Sequence, residues 1–489
     1  MLRLFGWIVA VLTFAGLASP AFAQGGPERP NIIFIMADDL GYGELGSYGQ
    51  TKIKTPRLDQ MAADGMRFTD AYCGSPVCAP SRAVLLTGLH PGHADIRDNK
   101  DQPKTEADDY PYQWSIPEDR VTFGEVMKNA GYATACIGKW GLGNIGDSGD
   151  PNAHGFDLFY GYVSQWHAHT HYPEYLYRNG QREMLPGNEG NTRQSLTGGT
   201  HSHTRFEEEA LDFIRENKDG PFLLYLPLAI PHLAIHADED WLAPYADMEE
   251  SGPYDGSRGY TAHERPNAAY AAMITRMDTT VGKILDELEA QGIDKNTLVI
   301  FTSDNGPTHD VGGVDTEFFN SAGPLRGRKG SMFEGGIRVP FIARWPGQIE
   351  AGSVNDTPIG FQDVLPTMAE MAGVDEPVGI DGESILGEFT GEGILMDDRP
   401  LYFEFGGYGG WQAVRKGPWK MIRRNLKSDP SEPMLFNLKD DLGEATDVAA
   451  DHPEIVAELM ELAAEMREPN EDFPMPVLDE AASDTQEEN

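Results

Sequence analysis

Basic residues, cysteines and long apolar runs are all scarce in this chain. Of its 489 residues, 38 are Lys or Arg and 78 are Asp or Glu, giving a formal net charge of −40. So large an acidic excess repels phosphate backbones and argues against a nucleic-acid partner. It also repels a polyanionic ligand unless the binding site itself is locally basic. The three cysteines, Cys73, Cys78 and Cys136, are too few for a disulfide framework in an exported chain of this size. Cys73 and Cys136 sit in apolar contexts that suit small buried residues, and a bond between them is not favoured. The most apolar later stretch, residues 222–235, is interrupted by Pro227 and Pro231. It reads as core, so stable membrane insertion is not expected. No internal repeat is present.

The first residues are different. Arg3 precedes an apolar run over residues 4–18, and Ala21-Phe22-Ala23 stands just before Gln24. A basic start, an apolar stretch and a small-x-small pattern predict a signal peptide over residues 1–23, cleaved near Ala23. There is no twin arginine and no cysteine just after the cut, which implies general export to the periplasm or beyond.

Residues 31–36 (NIIFIM), 133–137, 222–226 and 297–302 read as strands buried on both faces. Helix-period stretches at 122–129, 206–216 and 268–291 lie between them. The alternation predicts an α/β fold, a large mostly parallel central sheet flanked by helices, over residues 24–372. Ligands of such sheets bind beyond the carboxyl ends of the strands. Asp38-Asp39, Lys139 and Asp304-Asn305 all fall at such ends. Glycine- and histidine-rich stretches at 141–155 and 187–204 read as loops over that site. From residue 373 to 475 the texture changes. Short runs at 401–405, 411–415, 419–423 and 434–438 predict a small antiparallel sheet. Asp451 and Glu454 then read as a capping pair for a helix with Ile455, Leu459, Leu462 and Met466 on one face. Residues 476–489 read as an acidic, disordered tail.

The most informative stretch is Pro76-Val77-Cys78-Ala79-Pro80-Ser81-Arg82, continuing to Thr87-Gly88. Pro80 suits a first helical turn and Gly88 a helix end. Cys78 then sits just before a helix N-terminus, where free N–H groups and the helix dipole favour an anion. The stretch resembles the signature of the cysteine-type, formylglycine-dependent sulfatases of the alkaline phosphatase superfamily: Cys-x-Pro-Ser-Arg, an apolar pair, then Thr-Gly. Gly131-Tyr132-Ala133-Thr134-Ala135-Cys136-Ile137-Gly138-Lys139 resembles that family's second signature. The likeness runs from about Pro30 to the C-terminal helix and makes residues 24–372 the catalytic domain.

The resemblance implies that Cys78 is oxidised to formylglycine by a formylglycine-generating enzyme, a transient partner, and that Arg82 supports its hydrate. Lys139 and Lys329 would line the sulfate pocket, with weaker claims for Arg326 and Arg328. His232, in Ile230-Pro231-His232, resembles the family histidine that contacts the ester oxygen. His169, within Gln165-Trp166-His167-Ala168-His169-Thr170-His171, matches a motif of some members. Asp38, Asp39, Asp304 and Asn305, together with the modified Cys78, would hold one Ca²⁺; taken singly these acids are also good turn formers. A zinc site from His167, His169 and His171 has no strong spacing match. Many members carry a histidine where Gly141 stands here, so either a nearby histidine such as His169 replaces it or calcium and Lys139 alone activate the hydrate. The expected substrate is a small-molecule or oligosaccharide sulfate ester, which points to polysaccharide degradation. Tyr160, Tyr162, Trp166, Tyr172 and Trp411 are candidates for stacking on sugar. Two other readings share parts of the pattern: a phosphonate or phosphate ester hydrolase of the same superfamily, and a non-catalytic sulfated-glycan-binding protein.

Overall fold

The computed structural model describes residues 29–102, 110–309, 311–393 and 395–479. The expected signal peptide and residues 480–489 of the tail lie outside them. Five parallel strands form the centre of a ten-stranded sheet, in the spatial order Thr297–Ser303, Asn31–Ala37, Phe222–Pro227, Ala133–Lys139 and Leu158–Tyr162. Phe341–Arg344, Met66–Phe68 and Ser353–Asn355 extend one edge. The hairpin Tyr175–Arg178 and Gln181–Met184 extends the other.

The apolar run at 31–36 has no polar alternation because both faces are covered. Ile32, Phe34 and Met36 enter one core, with Val84, Leu85, Phe123, Met127 and Leu365. Ile33, Ile35 and Ala37 enter the other, with Phe206, Phe213, Met273 and Met277. Helices therefore lie on both faces, as the strand–helix alternation predicts. Their starts follow capping chemistry. Thr122 accepts from Glu125 N and its own N–H reaches Glu125 Oε2, so Phe123–Asn129 begins with a capping box. Ser202–Asn217 starts four residues earlier than its apolar period indicates, because His201 Nδ1 accepts from His203 N.

The C-terminal part is a four-stranded antiparallel sheet of Leu401–Phe405, Trp411–Lys416, Trp419–Arg424 and Met434–Asn437. The helix Pro453–Glu465 packs on it through Leu459 and Ala463. The capping pair expected from Asp451 and Glu454 does not form. His452 holds the cap position without a side-chain bond, and Pro453, which has no N–H to satisfy, opens the helix. The packed chain also runs beyond the expected boundary at 475. Met475 and Leu478 pack with Leu426, and Arg467 Nη1 meets Asp479 Oδ1 at 2.8 Å. All three cysteines are free and buried.

A buried ionic seam joins this small sheet to the large one. Lys420 Nζ, without exposure, lies 2.7 Å from Glu334 Oε1 and 2.9 Å from Glu444 Oε1. Arg415 Nη1 lies 2.8 Å from Asp70 Oδ1. Removing one member of a buried pair strands the other's charge. Lys420→Met is expected to cost about 3–5 kcal/mol of stability by urea denaturation. Lys416→Met, at the surface opposite Glu458, should leave stability nearly unchanged.

Candidate active site

The helix Cys78–Thr87 is buried along its whole length. Cys78 is its first residue rather than the residue before it. Val77 holds the cap position, and Gly88, at φ 70°, ends the helix in the left-handed conformation glycine tolerates. Asn99 Oδ1 accepts from Ala79 N at 2.8 Å, satisfying an N-terminal donor and fixing the start of the helix. Nothing in the sequence alone points to Asn99.

Four strand ends converge on Cys78. From the first strand come Asp38 and Asp39. Asp38 Oδ1 lies 3.4 Å from Cys78 Sγ and Asp39 Oδ1 lies 3.9 Å away. Asp39 sits at φ 67°, an unusual conformation for aspartate. From Ala133–Lys139 comes Lys139, whose Nζ donates to Asp38 Oδ2 at 2.7 Å. From Thr297–Ser303 come Asp304, which accepts from Asp39 N at 3.1 Å, and Asn305, whose Nδ2 donates to Asp39 Oδ1 at 2.9 Å. Beyond Phe222–Pro227 lies His232, with Nε2 3.7 Å from Asp39 Oδ2. Lys329 enters from a loop, its Nζ 2.7 Å from Asp39 Oδ1 and 3.3 Å from Cys78 Sγ. That loop is pinned by Lys329 N to Pro307 O and by Gly330 N to Pro76 O.

Arg82 lies one turn after Cys78. Its Nε and Nη2 donate to Asp304 Oδ2 at 3.0 and 2.7 Å, and its Nη1 donates to the Lys139 carbonyl at 2.6 Å. The cluster thus holds three carboxylates, Asp38, Asp39 and Asp304, against three cations, Arg82, Lys139 and Lys329. Burial pushes the Asp38 carboxyl up, but Lys139, His232, Arg82 and Lys329 outweigh it and hold the group below the usual carboxylate range. Burial pushes the Cys78 thiol up to about 12, with Asp38 adding to the effect. Burial also lowers His232 to about 4 against the pull of Asp38 and Asp39, and its Nδ1–H is spent on Leu233 O at 2.6 Å.

A cation would find hard donors here. Asp38, Asp39, Cys78 and His232 present ligand atoms within 4.8 Å of one another, and the buried Asn305 Oδ1 has no hydrogen-bond partner among the described residues. An oxygen-rich set of this kind fits calcium; sulfur at position 78 is the one soft atom in it.

Not every expected residue joins the cluster. His169 stands one ring behind it, stacked on His232 at 5.0 Å between centroids. Arg326 turns away, donating to Glu444 O and covering the Phe333 ring. Arg328 Nη1 lies 3.4 Å from Thr316 Oγ1. His167, His169 and His171 do not come together as a metal group among the described residues. His171 Nε2 pairs instead with His232 O at 2.9 Å. Tyr160, Tyr162 and Tyr172 are buried and cannot stack on a ligand, and Trp411 packs against Phe333. Trp166 alone of the five candidate aromatics stands beside the site, 5.1 Å from the His169 ring.

Gly141, at φ 81°, leaves room that the Gln165 carboxamide fills: a Cβ at 141 would lie 1.9 Å from Gln165 Nε2. That nitrogen is buried and unpartnered among the described residues. Gln165, not a histidine, therefore occupies the space beside residue 141. Gly141→Ala should destabilise by about 2 kcal/mol, part from the positive φ and part from overpacking. Placed in a Gln165→Ala background, the same change should cost only about 1 kcal/mol, the backbone share, in a double-mutant cycle of urea midpoints.

A sulfatase family model matches residues 30–374, and a model described as N-sulphoglucosamine sulphohydrolase, C-terminal, matches residues 328–471. N-acetylgalactosamine-6-sulfatase of Canis lupus familiaris is 32% identical over 421 residues, covering 81% of this chain and 72% of its own. Among solved structures, Ps i-CgsB in complex with k-i-k-neocarrahexaose superposes with a TM-score of 0.75 at 27% identity, covering 92% of this chain and 94% of its own. The phosphonate monoester hydrolase of Agrobacterium radiobacter shares the fold, with a TM-score of 0.63 at 19% identity over 91% of this chain and 99% of its own.

Proposed function

Because the chain belongs to the sulfatase family and is a sulfuric ester hydrolase, we propose that it cleaves sulfate monoesters of carbohydrates with a formylglycine made from Cys78. The observation that carries this reading is the convergence around Cys78 of Asp38, Lys139 and Asp304 from three separate strand ends and of Lys329 from a loop. The carbohydrate class rests on relatives: one is an N-acetylgalactosamine-6-sulfatase, and another was solved with a neocarrahexaose.

A thiol held at about 12 is a poor nucleophile near neutral pH, and its sulfur is a poor partner for a hard cation. Oxidation to formylglycine answers both points. The hydrated aldehyde supplies one hydroxyl to attack sulfur and a second whose deprotonation expels sulfate. Asp38, Asp39, Asp304, Asn305 and the oxygen then present at 78 would hold one Ca²⁺, which when bound supplies Lewis-acid polarisation. Equal numbers of buried acids and bases leave the unloaded cluster near neutrality, so a divalent ion makes it attractive to an anionic ester.

The side chains take distinct parts. Arg82 fixes Asp304 and the Lys139 carbonyl, and so sets the position of both. Lys139 and Lys329 stand where charge gathers on the sulfuryl oxygens during transfer. Burial would lower Lys329, yet Asp39 and Cys78 raise it well above the ordinary lysine value, so it stays charged and steadies the departing oxygen. Lys329, which stays charged, is the group that can give that oxygen its proton, and His232, with Nδ1–H committed to Leu233 O, presents Nε2 as a hydrogen-bond acceptor to the alcohol so formed. No helix among the described residues is long and apolar enough to cross a membrane.

Produced alongside a formylglycine-generating enzyme, the wild type should show the mass of the aldehyde at residue 78 and turn over p-nitrophenyl sulfate. Cys78→Ala and Cys78→Ser should lose turnover about a thousandfold or more. Serine retained in full multiple turnover would contradict the scheme, since it lacks the second hydroxyl.

A further inference from the structure

Several solvent-facing arginines pair with carboxylates. Arg178 pairs with Glu183 and Glu209, Arg205 with Glu208, and Arg215 with Asp212 and Glu287. Arg193 does not. Among the described residues its guanidinium meets no carboxylate, and it lies instead over the Trp166 ring, 4.3 Å from the centroid. It is half-buried, in the loop at 187–201 that precedes the helix Ser202–Asn217.

The surface beneath it is fixed. Trp166 Nε1 donates to Asp101 Oδ2, and Trp166 N donates to Ser164 Oγ at 3.2 Å. Asp101 also accepts from Gln113 Nε2 at 3.3 Å, so its carboxylate is engaged there rather than with Arg193. From Trp166 a run of rings leads inward: His169 at 5.1 Å, then His232 at 5.0 Å, with Tyr260 at 5.3 Å from His169 and 6.0 Å from His232. His232 borders Asp39. Arg193 thus connects to the site through the Trp166, His169 and His232 rings, and it adds to the burial and the inner cations that push His169 down.

A guanidinium laid on an aromatic face and paired with no carboxylate among the described residues suits an anionic group on a sugar. Trp166 supports the guanidinium, and the planar fork takes two oxygens of a carboxylate or sulfate. The scissile sulfate is already matched by Lys139 and Lys329, so Arg193 must meet a different charge. We infer that Trp166 and Arg193 form a subsite for a second anionic group, carboxylate or sulfate, on the sugar adjoining the one that loses its sulfate. The inference rests on the sulfated-carbohydrate reading. It makes Arg193 a specificity determinant, and it supplies the local positive charge that a chain of net −40 needs to admit a polyanion.

The test compares wild type, Arg193→Ala and Arg193→Lys on four substrates. They are p-nitrophenyl sulfate, the sulfated monosaccharide that wild type cleaves best, that sugar joined to a uronic acid, and the carboxyl-reduced form of the same disaccharide. A fifth substrate, with a second sulfate in place of the carboxylate, separates the two anions. Arg193→Ala should lower kcat/KM on the charged disaccharides about 10- to 100-fold, mainly through KM, and weaken their salt dependence. Aryl sulfate, monosaccharide and reduced disaccharide should stay within about twofold, and Arg193→Lys should fall between. Equal losses on charged and neutral disaccharides, or no loss on either, would overturn the subsite while leaving the sulfatase reading intact. Turnover of aryl sulfate but of no sulfated sugar would remove the carbohydrate reading and the subsite with it.

Discussion

The buried pairing of Arg82 with Asp304 is the constraint on which the rest of the site depends. Both side chains are without exposure, and a guanidinium in that position is tolerated only when its donors are used. Arg82 meets this with two bonds to Asp304 Oδ2 and one to the Lys139 carbonyl. One side chain therefore ties the helix carrying Cys78 to two strands of the sheet. A lysine, with a single point charge, could not span the same three contacts. The backbone adds a second tie: Asp304 N donates to Ala37 O, and Leu40 N donates to Ser303 Oγ, which keeps the two acidic strand ends side by side.

The small C-terminal sheet has a part in this geometry although it contributes no residue to the cluster. Lys329 comes from a loop that continues into Glu334, and Glu334 is gripped by Lys420, Tyr72 and Arg338. Glu444 closes the grip from the other side, accepting from Glu334 N through its side chain and from Arg326 through its carbonyl. A flexible lysine is thereby delivered to Asp39 and Cys78 by a rigid mount. The separation of scaffold and chemistry explains why the charged seam is buried where apolar packing would have been cheaper: it fixes position as well as adding stability.

Much of this was legible in the sequence, for identifiable reasons. Residues 31–36 and 297–302 carry unbroken apolar runs that only a doubly covered strand explains, and the acids after them mark the strand ends. Cys78, Arg82 and Lys139 were visible because their neighbours form local patterns. Contacts made across the fold were not. Asn99 on the Ala79 N–H, Gln165 over Gly141 and Arg193 over Trp166 each depend on loops meeting in space, and no periodicity records such meetings. His169 shows a related limit. Three alternate histidines cannot be ranked from spacing, and the structure puts the middle one behind His232. Tyr160, Tyr162 and Tyr172 illustrate the same limit, since an aromatic in a strand or loop looks alike whether it faces core or ligand.

The most direct measurement follows turnover of matched p-nitrophenyl sulfate and p-nitrophenyl phosphate by the purified, matured protein while calcium is withdrawn with a chelator and restored. The account predicts a strong preference for sulfate, lost on chelation and recovered with calcium. Preference for phosphate, or sulfate turnover indifferent to chelation with Cys78 still a thiol, would contradict it.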